Sequence, residues 1–155
     1  MLQAIPKHWF SWDFTVVQGS QALADIDMSA WRERGTLTVE GKSYRVYREG
    51  VMSGDFILES PEELVARAAK PSVFRRAFLV EYGGQQYELR AKSVLRRTFV
   101  LLDGQREIGS VSRESVLTRR TAVDLPEHLP LPVRIFIVWL VVIVWKRDAA
   151  AAGGG

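Results

Sequence analysis

The sequence predicts a mostly-β fold, a closed antiparallel barrel of about twelve strands that encloses a hydrophobic C-terminal α-helix. Three observations predict it: short β-rich runs between residues 9 and 124, a pattern that repeats after 43 residues, and eleven uninterrupted apolar residues at 135–145. A twisted sheet of that many strands has edges that closure hides. A barrel of that width needs apolar material inside it, and the apolar run supplies this material.

The strands are predicted from alternating apolar residues and from turn residues about every ten to eleven positions. In the first run, apolar residues from Phe10 to Val16 alternate with polar ones, so one face of the strand is apolar. Glycine-containing hairpin turns are indicated at 40–41, 83–84 and 103–104. The further predicted strands are 21–28, 36–40, 43–48, 52–58, 63–69, 74–82, 86–92, 96–102, 106–112 and 116–123.

Residues 60–70 carry conflicting signals. The segment opens with a Ser-Pro-Glu-Glu capping-box pattern followed by good helix formers, which on local grounds predicts a helix. The internal repeat favours a strand, because residues 41–58 reappear as 84–101, with Phe56 matching Phe99. The stretch after the second copy is strand-like, so we expect the stretch after the first copy to be a strand too.

The apolar run predicts a buried helix, since eleven residues span about 17 Å as a helix and a hydrocarbon core is roughly 30 Å thick. Pro132 marks the predicted helix start, and Lys146 and Arg147 favour the C-terminal end of the helix dipole. We therefore predict one domain over residues 1–147 and a flexible Ala/Gly tail at 148–155. The helix residues predicted to fill the core are Ile135, Phe136, Trp139, Leu140, Val142 and Ile143.

The composition is that of an ordinary globular domain, with 155 residues of which 47% are hydrophobic and 25% charged. There is no cysteine, which excludes disulfides and thiolate metal sites and fits a reducing cytoplasm. Residues 1–8 lack a signal-peptide pattern, so we expect a cytoplasmic location, peripheral to a membrane if the chain binds lipid. The net charge is +3, and 16 of the 21 basic residues are arginine, which suits planar anions such as phosphate.

A twelve-strand barrel threaded by a hydrophobic C-terminal helix resembles the tubby C-terminal-like superfamily, which includes tubby-like proteins, phospholipid scramblases and LURP-one-related proteins. The resemblance covers residues 9–147 and rests on the repeated Phe-x-Leu strands at 56–58 and 99–101 and on the terminal helix. It implies the barrel fold and, by likeness to tubby-like proteins, binding to membrane phosphoinositides. The chain lacks the Asp-x-Asp calcium loop and cysteine-rich segment of scramblases, so it is most similar to a small LURP-one-related barrel.

No catalytic motif stands out in the sequence. His8 and His128 lie far apart and outside any metal-binding spacing, and motifs for nucleophiles, dinucleotides and phosphate loops are missing. Glu59, Glu62 and Glu63 suggest a weak cation site, but a solvated turn is the favoured interpretation. The sequence therefore predicts a non-enzymatic protein with no metal and no cofactor.

Arginine pairs are the one pattern that indicates a binding function. They recur every 20 to 24 residues, an interval that returns an up-and-down chain to the same end of the barrel. Adjacent strand residues point to opposite faces, so such pairs are expected at strand ends, where both charges reach water. Asp55 is expected to neutralise a nearby arginine, and a salt-bridged rim without a ligand is the competing interpretation. The candidate anion- or lipid-binding residues are Arg75, Arg76, Arg96, Arg97, Arg119 and Arg120.

Three functional hypotheses stay open. The barrel binds anionic phospholipid or another phosphate-bearing ligand through this rim; it is an adaptor for a protein partner with no small ligand; or residues 129–145 anchor it in a membrane. For Trp9, Phe10, Trp12 and Trp31, core packing is favoured over a belt that touches a membrane. No nucleic-acid partner is expected, because the arginines form no recognisable motif or stacking platform.

Overall fold

Twelve antiparallel strands and one helix make up the computed structural model, which describes residues 1–9, 11–29, 32–50, 54–70, 77–93, 97–115 and 117–154. Each strand pairs with its neighbours in the chain, and β1 pairs with β12 to close the barrel. The predicted fold class is confirmed. The elements are β1 (Leu2–Pro6), β2 (Phe14–Gln18), β3 (Gln21–Met28), β4 (Arg34–Val39), β5 (Lys42–Arg48), β6 (Phe56–Glu59), β7 (Leu64–Ala69), β8 (Ala77–Tyr82), β9 (Gln85–Ala91), β10 (Thr98–Asp103), β11 (Arg106–Arg113), β12 (Thr121–Asp124) and α1 (Leu131–Ala149).

The first two strands differ from the prediction. The sequence indicated no strand over Leu2–Pro6, because this strand is short and only Leu2 and Ala4 are buried. The strand predicted from residue 10 begins only at Phe14. Before it the chain turns, with the Asp13 carboxylate accepting a hydrogen bond of 2.7 Å from the backbone N–H of Met28. Residues 11–13 of the predicted strand are therefore loop, and Phe10 lies outside the described residues.

The segment with conflicting signals is a strand, as the repeat predicts. Ser60 does make the local bond of a capping box, because its Oγ accepts from the backbone N–H of Glu63 at 3.1 Å. The chain then continues as β7, which pairs with β6 and β8. Pairing on both sides therefore outweighs the local helix signal.

The 43-residue repeat is present in the structure. The strands β4 to β7 recur as β8 to β11, and β8 starts at Ala77, 43 residues after β4 starts at Arg34. Both copies carry a register shift at the same position, between Leu58 and Glu59 in one and after Leu101 in the other. The two copies therefore form equivalent four-strand units of one barrel.

The helix fills the barrel interior. Every residue from 135 to 145 is buried, including all six that the sequence assigned to the core. Trp139 lies at the centre, with its ring edge-on to Phe56 at 5.7 Å and stacked with Phe136 at 6.0 Å. The helix continues to Ala149 and is followed by a short π-helical turn, Ala150–Gly154. Within the described chain, no helix combines the length and apolar character that crossing a membrane requires.

The two ends of the barrel differ in structure. We name as the upper end the one where the helix finishes, marked by Lys146, whose Nζ donates to the Ser29 carbonyl at 3.0 Å. Because successive strands alternate in direction, the β1–β2, β3–β4, β5–β6, β7–β8, β9–β10 and β11–β12 connections all lie at this end. The lower end carries tight hairpins such as 40–41 and 83–84. Longer connections, where binding residues are usually found, are therefore gathered at the upper end.

Candidate functional site

Three arginines lie at the upper ends of the neighbouring strands β10, β11 and β12, and we name Arg97, Arg113 and Arg119 the arginine cluster. Arg113 ends β11, whereas Arg97 and Arg119 lie just before β10 and β12, and each is two residues along the chain from a buried side chain. Those buried side chains are Phe99, Val111 and Thr121, respectively. The same strand geometry that builds the core therefore collects three positive charges above it.

The last buried turn of the helix forms the floor beneath the cluster. The guanidinium carbon of Arg113 lies 5.6 Å from the centre of the Trp145 ring, in cation–π geometry. Arg113 Nη2 also donates to the Thr118 carbonyl at 3.3 Å. The backbone N–H of Arg113 donates to the carbonyl of Arg97 at 3.0 Å, so these two like-charged residues are neighbours across the strands.

Arg119 joins two connections of the upper end. Its guanidinium carbon lies 3.9 Å from the centre of the Trp12 ring, and its Nη1 donates to the Ser11 carbonyl at 3.0 Å. The β11–β12 connection is thereby held against the β1–β2 connection. Arg120, the next residue, is exposed.

The cluster has no acidic partner within the described chain. None of its three arginines forms a salt bridge there, and the Nε atoms of Arg97 and Arg113 are buried without a hydrogen-bond partner. Burial lowers the pKa of Arg113, and the charges of Arg119 and Arg97 lower it further. Burial also lowers the pKa of Arg119. The nearby carboxylate of Glu114 accepts instead from Gln3 Nε2 at 2.7 Å.

Across the barrel mouth several cations form salt bridges. Asp55 accepts from Arg67 at 2.9 Å, as expected from its position in the sequence. A salt-bridged rim therefore describes the β3–β7 side of the upper end, but not the side formed by β10–β12. The paired groups are Lys7 with Asp25 and Asp27, Arg67 with Glu49 and Asp55, and Arg48 and Arg147 with Glu33.

Only half of the predicted arginine set lies in the described chain. The structure brings Arg97 and Arg119 together and leaves Arg120 exposed beside them, whereas Arg75, Arg76 and Arg96 lie outside the described residues. The sequence analysis missed Arg113 because it searched for arginine pairs, and Arg113 stands alone. The alternation along β11, continued from buried Val111, could have found it.

The exposed aromatic residues also depart from expectation. Trp9 was expected in the core, but 84% of its surface is exposed at the upper end. Core packing is therefore wrong for Trp9. Trp12 is partly buried against the core, beneath Arg119. Phe10 and Trp31 lie outside the described residues.

A cleft of about 1150 Å³ lies on the opposite wall, along β3, β4 and β5. Its lining holds the arginines at 32, 34, 45 and 48 and the carboxylates of Asp27 and Glu33. Arg45 is paired with Glu59 at 2.5 Å and Arg48 with Glu33 at 3.6 Å. Arg32 and Arg34 are exposed to water, whereas the arginine cluster is half-buried and has no acidic partner within the described chain. We therefore place the candidate site at the cluster rather than at the cleft.

The glutamate group at 59–63 is occupied by internal bonds. Glu59 accepts from Tyr47 at 2.7 Å and pairs with Arg45, and these hydrogen bonds lower the pKa of its carboxyl group. Glu62 bonds to Ser60. Within the described residues, no group of three or more histidine or acidic side chains is arranged to hold a metal ion.

In comparisons with known proteins, no family model, curated protein or solved structure matches this chain. The resemblance to the tubby C-terminal-like superfamily stays a prediction.

Proposed function

We propose that this barrel is a non-enzymatic binding module for a phosphate-bearing anion, which the arginine cluster holds at the upper end. The observation that carries the proposal is the absence of acidic partners for three half-buried arginines within the described chain, two of which have buried Nε atoms without a partner. An anionic phospholipid headgroup and a soluble phosphate ester present the same chemistry to these side chains.

The energetics support an external anion. Desolvating a charge is unfavourable unless it is paired, and like charges on neighbouring strands add to the cost. Elsewhere at the same barrel end, Glu33 and Asp55 supply the opposite charge. A phosphate above Arg97, Arg113 and Arg119 relieves the repulsion and accepts bidentate hydrogen bonds, for which arginine geometry is suited.

The geometry is organised before any ligand arrives. Trp145 lies under Arg113 and Trp12 lies under Arg119, and each guanidinium also donates to a backbone carbonyl. These contacts restrict the arginine rotamers, which reduces the entropy lost on binding. Each guanidinium has further N–H donors that do not bond to the backbone, and these donors can contact the anion.

The proposal is tested with inorganic phosphate and a pair of matched variants. Arg113→Gln removes a charge of the cluster, and Arg106→Gln removes an exposed arginine at the lower end of the same strand. We expect Arg113→Gln to weaken phosphate binding roughly ten- to hundredfold, since a hydrogen bond to a charged group contributes about 1.5–3 kcal/mol. Arg106→Gln should leave the affinity unchanged. Isothermal titration calorimetry measures both.

Thermal unfolding gives a second readout. A ligand that binds only the native state raises its stability in proportion to the logarithm of ligand concentration above Kd. Phosphate also stabilises proteins nonspecifically, so the specific part is the difference between the Tm increase of the wild type and that of a variant without the site, and Arg106→Gln should respond like the wild type. A triple variant replaces Arg97, Arg113 and Arg119 with glutamine. Equal phosphate-induced increases in Tm for the wild type, Arg113→Gln and this triple variant would overturn the proposal.

A further inference from the structure

Two large apolar side chains near the arginine cluster are mostly exposed to solvent. Trp9 is 84% exposed in the β1–β2 connection, and Leu117 is 87% exposed in the β11–β12 connection. We name this pair the apolar tips. Both connections lie at the upper end, and they are neighbours there because β1 lies between β12 and β2 in the sheet.

The apolar tips are held by ordered structure. Trp9 lies in a turn closed by the Ser11 N–H, which donates to the His8 carbonyl at 3.1 Å. Leu117 follows a local turn in which its N–H donates to Ser115 Oγ at 3.0 Å. Arg119 bonds to the Ser11 carbonyl and so ties the two connections together. The exposure of the tips is thus built into the local structure.

Apolar tips flanked by cations that have no acidic partner among the described residues match one kind of partner. A bilayer with anionic lipids offers phosphates at the level of the headgroups and an apolar layer just beneath them, and tryptophan favours that boundary. Arg120, next to Arg119 in the chain, is exposed and adds a further charge. Glu114, in the same connection, accepts from the neutral amide of Gln3 and keeps its negative charge, but the cluster and Arg120 together carry four positive charges. Charge complementarity therefore favours an anionic membrane surface.

We infer that Trp9 and Leu117 enter the interfacial layer of an anionic bilayer while the arginine cluster binds a lipid phosphate. This inference rests on the proposed function and adds the source of the phosphate, a membrane rather than a free ester. It places the barrel with its upper end toward the membrane and its lower-end hairpins toward water. The C-terminal helix stays inside the barrel in this arrangement, so the insertion involves side chains of connections only.

The absence of cysteine makes the orientation directly measurable. Leu117→Cys and Leu64→Cys each give a single site for an environment-sensitive fluorophore. Leu64, 49% exposed, begins β7 at the lower end and is the matched control. With vesicles of phosphatidylcholine and phosphatidylserine, we expect a blue shift and quenching by brominated lipid at position 117 and neither at position 64. Vesicles of phosphatidylcholine alone should produce much smaller changes at both positions.

Partitioning of unlabelled variants gives the second arm. Leu117→Ser removes an apolar side chain that enters the bilayer in this arrangement. It should therefore lower the vesicle partition coefficient about tenfold. Trp9→Ser should act in the same direction. Both variants should bind inorganic phosphate in solution like the wild type, because neither residue belongs to the cluster.

The two proposals fail in distinguishable ways. If the protein binds phosphate in solution but the label at position 117 responds to vesicles no more than the label at position 64, the membrane inference is overturned. A protein partner then becomes the alternative occupant of the apolar tips. If phosphate binding itself is absent, the proposed function fails first, and the inference fails with it.

Discussion

Glu40 has a backbone conformation that is unfavourable for a residue with a side chain. It has a φ of 50°, and within the described residues it is the one non-glycine with a positive φ. It precedes Gly41, with a φ of 81°, in the two-residue turn between β4 and β5. Two successive positive φ angles are typical of a type I′ turn, where asparagine is favoured. A glutamate there stores unfavourable backbone energy.

We predict that Glu40→Asn stabilises the protein by roughly 0.5–1 kcal/mol, because asparagine tolerates the left-handed region better than glutamate does. For a chain of this size that corresponds to an increase in Tm of about 1–4 °C. Thermal unfolding followed by circular dichroism measures it.

Glu107→Asn is the matched control for this substitution. Glu107 is exposed in β11, so the change in charge is the same but no turn is improved. A rise in Tm for Glu107→Asn as large as that for Glu40→Asn would contradict the explanation from backbone strain.

At the residue scale, the sequence predicted arginines as the binding groups of the candidate site but identified only two of the three arginines in the cluster. Arginine pairs recur at an interval of about two strands and indicated Arg97 and Arg119. Two strands bring an up-and-down chain back to the same end of the barrel, because the chain direction reverses at each strand. Arg113 required knowledge of which face of β11 is inward, and the missing carboxylate partners required the position of every acid at the barrel mouth. Such distances between strands remote in sequence are set by closure, which no local pattern specifies.

The helix is the element on which the fold depends most. A fully buried aliphatic or aromatic side chain contributes about 1.5–3 kcal/mol, so the eleven buried residues at 135–145 together exceed the roughly 5–15 kcal/mol of a typical domain's net stability. Trp139 and Trp145 have the largest of these side chains, and the indole N–H of Trp139 is buried without a hydrogen-bond partner among the described residues.

We predict that Trp139→Ala lowers the free energy of unfolding by about 3–5 kcal/mol, because it leaves a large cavity at the centre of the barrel. Trp139→Phe should cost clearly less, since it keeps a ring and removes the unsatisfied N–H, which itself is worth about 1–3 kcal/mol. Urea denaturation measures both variants.

Trp9→Ala serves as the control for loss of a tryptophan from a site outside the core, and its effect should stay within about 0.5 kcal/mol. An equal cost for the phenylalanine and alanine variants of Trp139 would contradict this account.

At the element scale, the sequence predicted most strands well because alternation and glycine turns are local signals. The repeat resolved residues 60–70, where a capping-box bond and strand pairing both occur. The sequence did not predict β1, because its two buried residues, Leu2 and Ala4, make too short an alternating pattern. Its pairing with β12 becomes visible only when the barrel closes.

The whole molecule depends on joining a barrel to a helix from the same chain. We predict that a chain ending at residue 130 does not form a stable barrel, because its inward-facing side chains then surround an empty interior. It should lack near-ultraviolet circular dichroism and a cooperative unfolding transition, or aggregate on expression. A chain ending at residue 149 keeps the whole of α1 and should unfold cooperatively like the wild type. Cooperative unfolding of the shorter chain would contradict this account of the core.

The position of the helix after all twelve strands also bears on biosynthesis. As the ribosome proceeds, every strand is made before the segment around which the strands close. Until residues 131–145 leave the exit tunnel, the nascent chain displays apolar strand faces and unpaired edges, which are the features that chaperones recognise and that promote aggregation. The helix at the centre of the barrel is therefore made after all twelve strands, so the strands cannot close around it until it has been synthesised.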